Sequence, residues 1–222
     1  MMTFKHEEIS FRFDLNPGDI VDLTLENPKF YRDFVKDLSD DECESFSLSE
    51  DGIEKDFGKS ALVIRDLFDL DPNSKRILGA IYKKIDKTAL SPERQEMFNE
   101  INAKISALMM DISADFEGAI SFNDALTLPQ VLGMIDFKFD YDDSTFLRSL
   151  LSYIKAWREA TDLKIVFVLN LFALLNASEI ASFSSELAYL GLPVINISYI
   201  SSKASNENIK KVIVDQDLCE IY

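Results

Sequence analysis

The chain has 222 residues, 47% of them apolar, with 17 Phe and 7 Tyr, enough to bury the core of one large domain or of one domain carrying an insertion. Lys and Arg number 23 against 39 Asp and Glu, a formal charge of −16, and such an excess of acid argues, as an average, against a nucleic-acid partner. One histidine and two cysteines that lie almost a full chain apart are too few for a His- or Cys-based nucleophile or a His-rich zinc site, and they suit a reducing cytosol.

The start, MMTFKHEEISFRFD, lacks a basic region followed by an apolar stretch, so no signal peptide is expected. His6 is expected to face solvent there. Ile9, Phe11 and Phe13 alternate with polar residues, Asn16-Pro17-Gly18-Asp19 reads as a turn, and Val21, Leu23 and Leu25 alternate again, which predicts a β-hairpin. Asn27 caps a helix with Pro28 at its first position and an apolar stripe of Phe30, Phe34, Val35 and Leu38. Residues 37–56 are strongly acidic and read as loop around a short strand, FSLS, with Cys43 among the acids. Helices are predicted from about Lys59 to Phe68, from Pro72 to about Ala89, and from Ser91-Pro92-Glu93 onward. In the last of these, Phe98, Ile101, Ile105, Leu108 and Ile112 step by three and four, a coiled-coil-like seam.

Beyond 118 the pattern becomes α/β. Ile120 and Phe122 suggest a short strand, Leu128 to Met134 a short helix, and Phe137, Phe139 and Tyr141 a strand with a polar outer face. Asp143 or Ser144 caps a helix through Phe146 to Trp157, and Lys164 to Leu169 is a continuous apolar strand suited to the middle of a parallel sheet. Ser178 opens another helix that Gly191 ends, Pro193 to Ile197 is a second buried strand, and Val212 to Val214 is the last, with Cys219 in a packed or half-packed strand position. No apolar run approaches the roughly 18 residues of a membrane span. The sum is an α/β fold: a head of residues 1–58 and 119–222 around a parallel sheet, with a helical insertion at 59–118.

Two strings imitate known sites. Gly52 to Ser60 approaches a phosphate-binding loop, but five residues rather than four separate Gly52 from Gly58, and Glu54 and Asp56 would face the phosphates. Asp69, Asp71 and Asn73 copy the first ligands of a calcium loop, but Ser74 replaces its glycine and Ala80 its final Glu. The strand ending Leu169-Asn170 lacks the acid that would hold magnesium. Acids gather between Asp111 and Asp143, as a solvated face or as oxygen ligands for calcium or magnesium. Basic residues are segregated as well, into the helical insertion (Lys59, Arg65, Lys75, Arg76, Lys83 and Lys84 among them) and near Lys203, Lys210 and Lys211.

The order and spacing of five strings resemble one family. They are DIVDLTLENPKFYRDFVKDL, KSALVIRDLFDLDPNSKRIL, ALTLPQVLGMIDFKFD, KIVFVLNLFALLNASEI and KKVIVDQDLCEIY. The chain resembles the signature CRISPR-associated adaptation protein of type II-A systems in its short form. That resemblance implies an α/β head related to a degenerate ABC-type P-loop ATPase core, with a helical extension. It implies a non-enzymatic homotetrameric ring in the bacterial cytoplasm. The ring would encircle double-stranded DNA, load at free ends, and act in spacer acquisition beside the adaptation integrase and the type II effector nuclease, with no membrane partner. It also implies calcium (Ca2+) at the junction of head and helices. Carried over residue by residue, the calcium segment falls on Glu117 to Asp124, with Asn123 where an acid is common and Gln130 where one more acid is expected. The candidate DNA contacts are Lys59, Lys75, Arg76, Lys138 and Lys203. Two other readings stay open: an ABC-type nucleotide hydrolase using Gly58, Lys59 and Ser60, and an acidic scaffold that binds only proteins through residues 37–56.

Overall fold

The structure, a computed structural model, describes residues 1–40, 44–88, 91–123, 125–201 and 209–222. In chain order, β1 (Met2–His6) and β2 (Phe13–Leu15) precede β3 (Ile20–Leu25) and α1 (Pro28–Asp37). Next come β4 (Phe46–Glu50), β5 (Ile53–Lys55), α2 (Phe57–Ser60), β6 (Ala61–Ile64), α3 (Lys75–Lys87), α4 (Pro92–Ala114) and α5 (Leu128–Met134). The chain closes with α6 (Phe146–Ala160), β7 (Ile165–Leu169), α7 (Ala177–Leu190), β8 (Val194–Ser198), β9 (Ile209–Val214) and β10 (Glu220–Ile221).

Two compact units result, one of residues 1–72 with 141–222 and one of residues 73–140. In the first unit a six-stranded sheet has the order β10-β9-β3-β8-β7-β6, parallel except for the β10 edge. Every residue of β3, β7 and β8 is buried. Such continuous runs are what a sheet covered on both faces requires, and parallel neighbours need crossovers such as α6 and α7. A second, antiparallel sheet has the order β2-β1-β4-β5. Its inner residues Phe4, Phe13, Leu15 and Leu48 share one apolar cluster with Val21, Leu23, Phe167 and Ile195 of the large sheet and with Phe30 and Phe34 of α1. Phe4 meets Phe167 edge to face at 4.9 Å, the arrangement that the ring quadrupoles favour.

Several expectations are corrected. Residues 9–25 form no hairpin: β2 pairs with β1, whereas β3 pairs with β8 and β9 in the other sheet. The turn is real, since Asp19 N donates to Asn16 O at 3.0 Å, but the buried Asp22 and Thr24 mark β3 as covered on both faces. The helix expected from Lys59 to Phe68 is the single turn α2 followed by the strand β6, because the run Ala61-Leu-Val-Ile is short, β-branched and aligned on β7. The helical part accordingly spans 73–140 rather than 59–118, since β6 belongs to the large sheet and α5 packs on α3. Neither 120–122 nor 137–141 is a strand; Phe139 spends both backbone groups on the side chain of Asn73. The α6 cap is Thr145, the α7 cap is Asn176, and Cys219 is exposed rather than packed, while Cys43 lies outside the described residues.

His6 does not face solvent: it is 5% exposed, with ring centroids 4.8 Å from Phe34 and 4.9 Å from Phe46. Its Nδ1 accepts from Glu8 N at 3.1 Å, which puts the proton of the neutral ring on Nε2. Burial lowers its pKa below the ordinary 6.5, against the opposing pull of Glu8, Glu7 and Asp37. A proton therefore binds the unfolded chain more readily than the folded one. The contribution of His6 is intact above the unfolded pKa and is lost as pH falls below about 6.5. We expect the stability gap between the wild type and His6→Phe to shift toward the variant by up to about 1.4 kcal/mol per pH unit below that point. Paired thermal melts from pH 8 to pH 5 check it, and a gap that does not vary with pH refutes it.

Candidate nucleic-acid interface

Open parallel sheets bind ligands at the carboxyl ends of their strands, where a helix N-terminus can meet phosphate. Here that position, after β3, is the turn Glu26-Asn27-Pro28, without glycine. Asn27 Oδ1 accepts from Lys29 N at 3.0 Å and Phe30 N at 3.1 Å, and its Nδ2 donates to Gln216 O at 2.9 Å. The amides that would cradle phosphate are thus taken by the chain's own carboxamide. β7 leads into Asn170, which adopts a left-handed backbone (φ 56°) and donates its N–H to Ile197 O at 2.9 Å. The string from Gly52 to Ser60 crosses a hairpin turn, the strand β5 and the one-turn α2 instead of wrapping a ligand. Asp51 (φ 51°) and Gly52 (φ 81°) form that turn as a left-handed pair, and Lys59 Nζ is paired with Asp56.

Within the unit 73–140, two asparagines hold the segment that returns from the helices. Asn73 donates through Nδ2 to Phe139 O at 3.0 Å and accepts from Phe139 N at 2.8 Å. Asn102 of α4 does the same with Leu126, at 3.2 and 3.0 Å. The Asn73 clamp brings Lys138, next to Phe139, toward the start of α3, where Lys75 and Arg76 are exposed in the first turn. Ser74 makes no side-chain cap there, and no acid occupies that turn. Cations at the positive end of a helix are placed against its dipole. Lys138 Nζ lies 2.6 Å from Asp136, both exposed. Of the five DNA candidates, then, Lys75, Arg76 and Lys138 gather at one end of this unit, Lys59 belongs to the other unit, and Lys203 lies outside the described residues. The Asn73 clamp escaped the sequence reading, because a contact spanning 66 residues leaves no local pattern.

The calcium candidates are less well gathered. Glu117 is exposed, and Asn123 Oδ1 accepts from Ala125 N at 3.4 Å. Gln130 closes a capping box on α5: its Oε1 accepts from Thr127 N at 2.8 Å and Thr127 Oγ1 at 3.0 Å. To ligate a cation, Gln130 would have to give up that cap. Asp124 lies outside the described residues, and among the described residues no three His, Cys, Asp or Glu side chains cluster as metal ligands. Calcium takes six to eight oxygens, and among the described residues the candidates contribute the carboxylate of Glu117 and the amide oxygens of Asn123 and Gln130.

Strand order, crossover helices and the Asn27-filled turn define a parallel α/β domain built like a nucleotide-binding core, with its phosphate position closed. A family described as CRISPR-associated protein (Cas_Csn2) matches residues 38–218. The chain belongs to the Cas_Csn2 family of CRISPR-associated proteins. Its fold is similar to that of Stu0660 of Streptococcus thermophilus, with a TM-score of 0.56 and 14% identity over 100% of this chain and 76% of that one. A putative ABC transporter ATP-binding protein from Pyrococcus furiosus aligns over 96% of each chain, with 9% identity and a TM-score of 0.46. No curated protein sequence matches. Among the described residues, no helix is long and apolar enough to cross a membrane.

Proposed function

We propose that this CRISPR-associated protein is a non-enzymatic, sequence-independent binder of double-stranded DNA ends that serves spacer acquisition as a homotetrameric ring in the bacterial cytoplasm. Its partners in this reading are the adaptation integrase and the type II effector nuclease. One observation carries the DNA contact: Lys75 and Arg76 sit exposed at an end of α3 without a side-chain cap, with Lys138 drawn to the same end by Asn73. An anionic partner accounts for cations kept against a helix dipole in a protein of charge −16. The exposed pair of Lys138 with Asp136 is worth little in water and exchanges readily for phosphate. Self-association draws support from α4, a helix of 23 residues with none buried, whose seam residues Ile101, Leu108 and Ile112 are exposed. The closed α1 turn favours a role without nucleotide hydrolysis.

Binding through phosphates should be weak, non-specific and sensitive to salt, with each lost contact reducing the slope of log affinity against log salt by about one. The double variant Lys75→Ala/Arg76→Ala is expected to lower the affinity for a short linear duplex and to reduce that slope by about two. Fluorescence anisotropy across a salt series measures both. An unchanged slope would falsify the assignment, and equal competition by linear and covalently closed circular duplex would refute the ring. Calcium enters this reading on Glu117, Asn123 and Asp124, with Gln130 only if its cap opens. Sizing chromatography with calcium or chelator, each with and without duplex, tests it: a calcium-dependent larger species is expected, and identical profiles refute the calcium role.

A further inference from the structure

At the amino ends of β7 and β8, away from the Asn27 turn, the first unit carries a half-open cavity of about 320 Å3. That volume holds about ten waters and sits at the small end of small-molecule sites. Its lining includes the apolar residues Met2, Leu15, Leu163, Leu192 and Pro193. It also includes the charged residues Glu50, Asp162 and Lys164. Lys164 Nζ lies 3.3 Å from both Glu50 and Asp162, and Lys55 Nζ lies 3.1 Å from Glu50. The two carboxylates at the cavity are therefore already matched by lysines.

Arg158 is different. It lines the same cavity from the last turn of α6, is exposed, and among the described residues has no ion pair. The helix dipole accounts for a cation in that turn. It does not account for an unpaired cation at a cavity that also has apolar lining and whose acids are already paired with lysines. We propose that this cavity binds a small organic anion. Arg158 takes its planar carboxylate or phosphate head in a forked, two-bond contact, and the apolar lining takes its body. The ligand would touch residues of β1 and β2 in the small sheet and the leads into β7 and β8 in the large one. Binding should therefore raise the melting temperature of the whole unit, because only the folded chain brings these residues together. This assignment stands apart from the DNA reading and shares no residue with it.

Trp157, the neighbour of Arg158, is the only tryptophan in the chain and reports locally. The full-length protein is titrated with benzoate, phenyl phosphate and inorganic phosphate while Trp157 emission and melting temperature are followed. Saturable responses to benzoate or phenyl phosphate are expected, with inorganic phosphate weaker. Arg158→Gln, an exposed change with no packing to lose, should weaken binding at least tenfold. Arg158→Lys should fall between, since it keeps the charge and loses the fork. The proposal is overturned by no saturable response to any of the three probes, by equal binding in Arg158→Gln, or by inorganic phosphate binding more tightly than phenyl phosphate.

Discussion

Asn196→Leu is expected to destabilise the protein by about 3 kcal/mol or more, two buried polar groups each losing a partner at about 1–3 kcal/mol. Asn196 is 0% exposed in the middle of β8. Its Nδ2 donates to Asp22 Oδ1 at 2.7 Å, and its Oδ1 accepts from Leu171 N at 2.8 Å. Leucine has similar bulk and neither atom, so the loss is chemical rather than a cavity. It removes the carboxamide from a carboxylate that is 1% exposed. In the same register, Thr24 and Ser198 face each other with hydroxyls 3.4 Å apart. This polar ladder between two otherwise apolar strands admits one alignment of β3 on β8, whereas valines and isoleucines alone would tolerate a slip of two residues. Urea melts should show a lower midpoint with an unchanged slope. A loss below about 1 kcal/mol would mean that the bond is made to Asp22 without stabilising the fold.

The sequence made this sheet legible where its strands are buried on both faces. The run at 165–169 reads as a parallel strand because five consecutive apolar residues bounded by turns suit a sheet covered on both faces, and 193–197 reads likewise although Asn196 interrupts it. The same logic failed for β3, where Asp22 and Thr24 imitate the polar face of a hairpin strand although both are buried. β6 failed for want of length, since four residues carry no period. His6 failed because a terminal polar stretch predicts exposure, while a five-residue pairing of β1 with β4 encloses it in aromatics. At the candidate interface, base segregation picked out Lys75 and Arg76, and Lys138 joined them through the Asn73 clamp. The net charge of −16 conceals this arrangement, because the acids gather mainly at 37–56 and 111–143 while Lys75 and Arg76 share a helix turn that holds no acid. An average over the chain bears on solubility and salt response, not on what one surface can bind.

Gly18→Ala is expected to be among the most damaging single changes, at about 2–5 kcal/mol from strain and overpacking together. Gly18 has φ 84°, a left-handed backbone that costs an L side chain about 1–2 kcal/mol. Its N–H reaches Leu192 O at 3.3 Å, and its missing side chain lets the turn press on α7. A Cβ there would stand 2.7 Å from Ala188 Cα and 2.9 Å from Ala188 Cβ. The obstacle is backbone, so no rotamer relieves it; either the turn or α7 must shift. A shift of α7 drags Phe183 and Leu187, both 0% exposed, out of register with the sheet. Gly52→Ala provides the control, because Gly52 has nearly the same φ, 81°, with nothing within 4 Å of the added carbon. It should lose only the backbone term, about 1–2 kcal/mol. The difference between the two variants therefore isolates the clash with α7. Chemical denaturation of both measures it, and equal losses would show that the turn yields freely and that α7 is not held by its contact with Gly18.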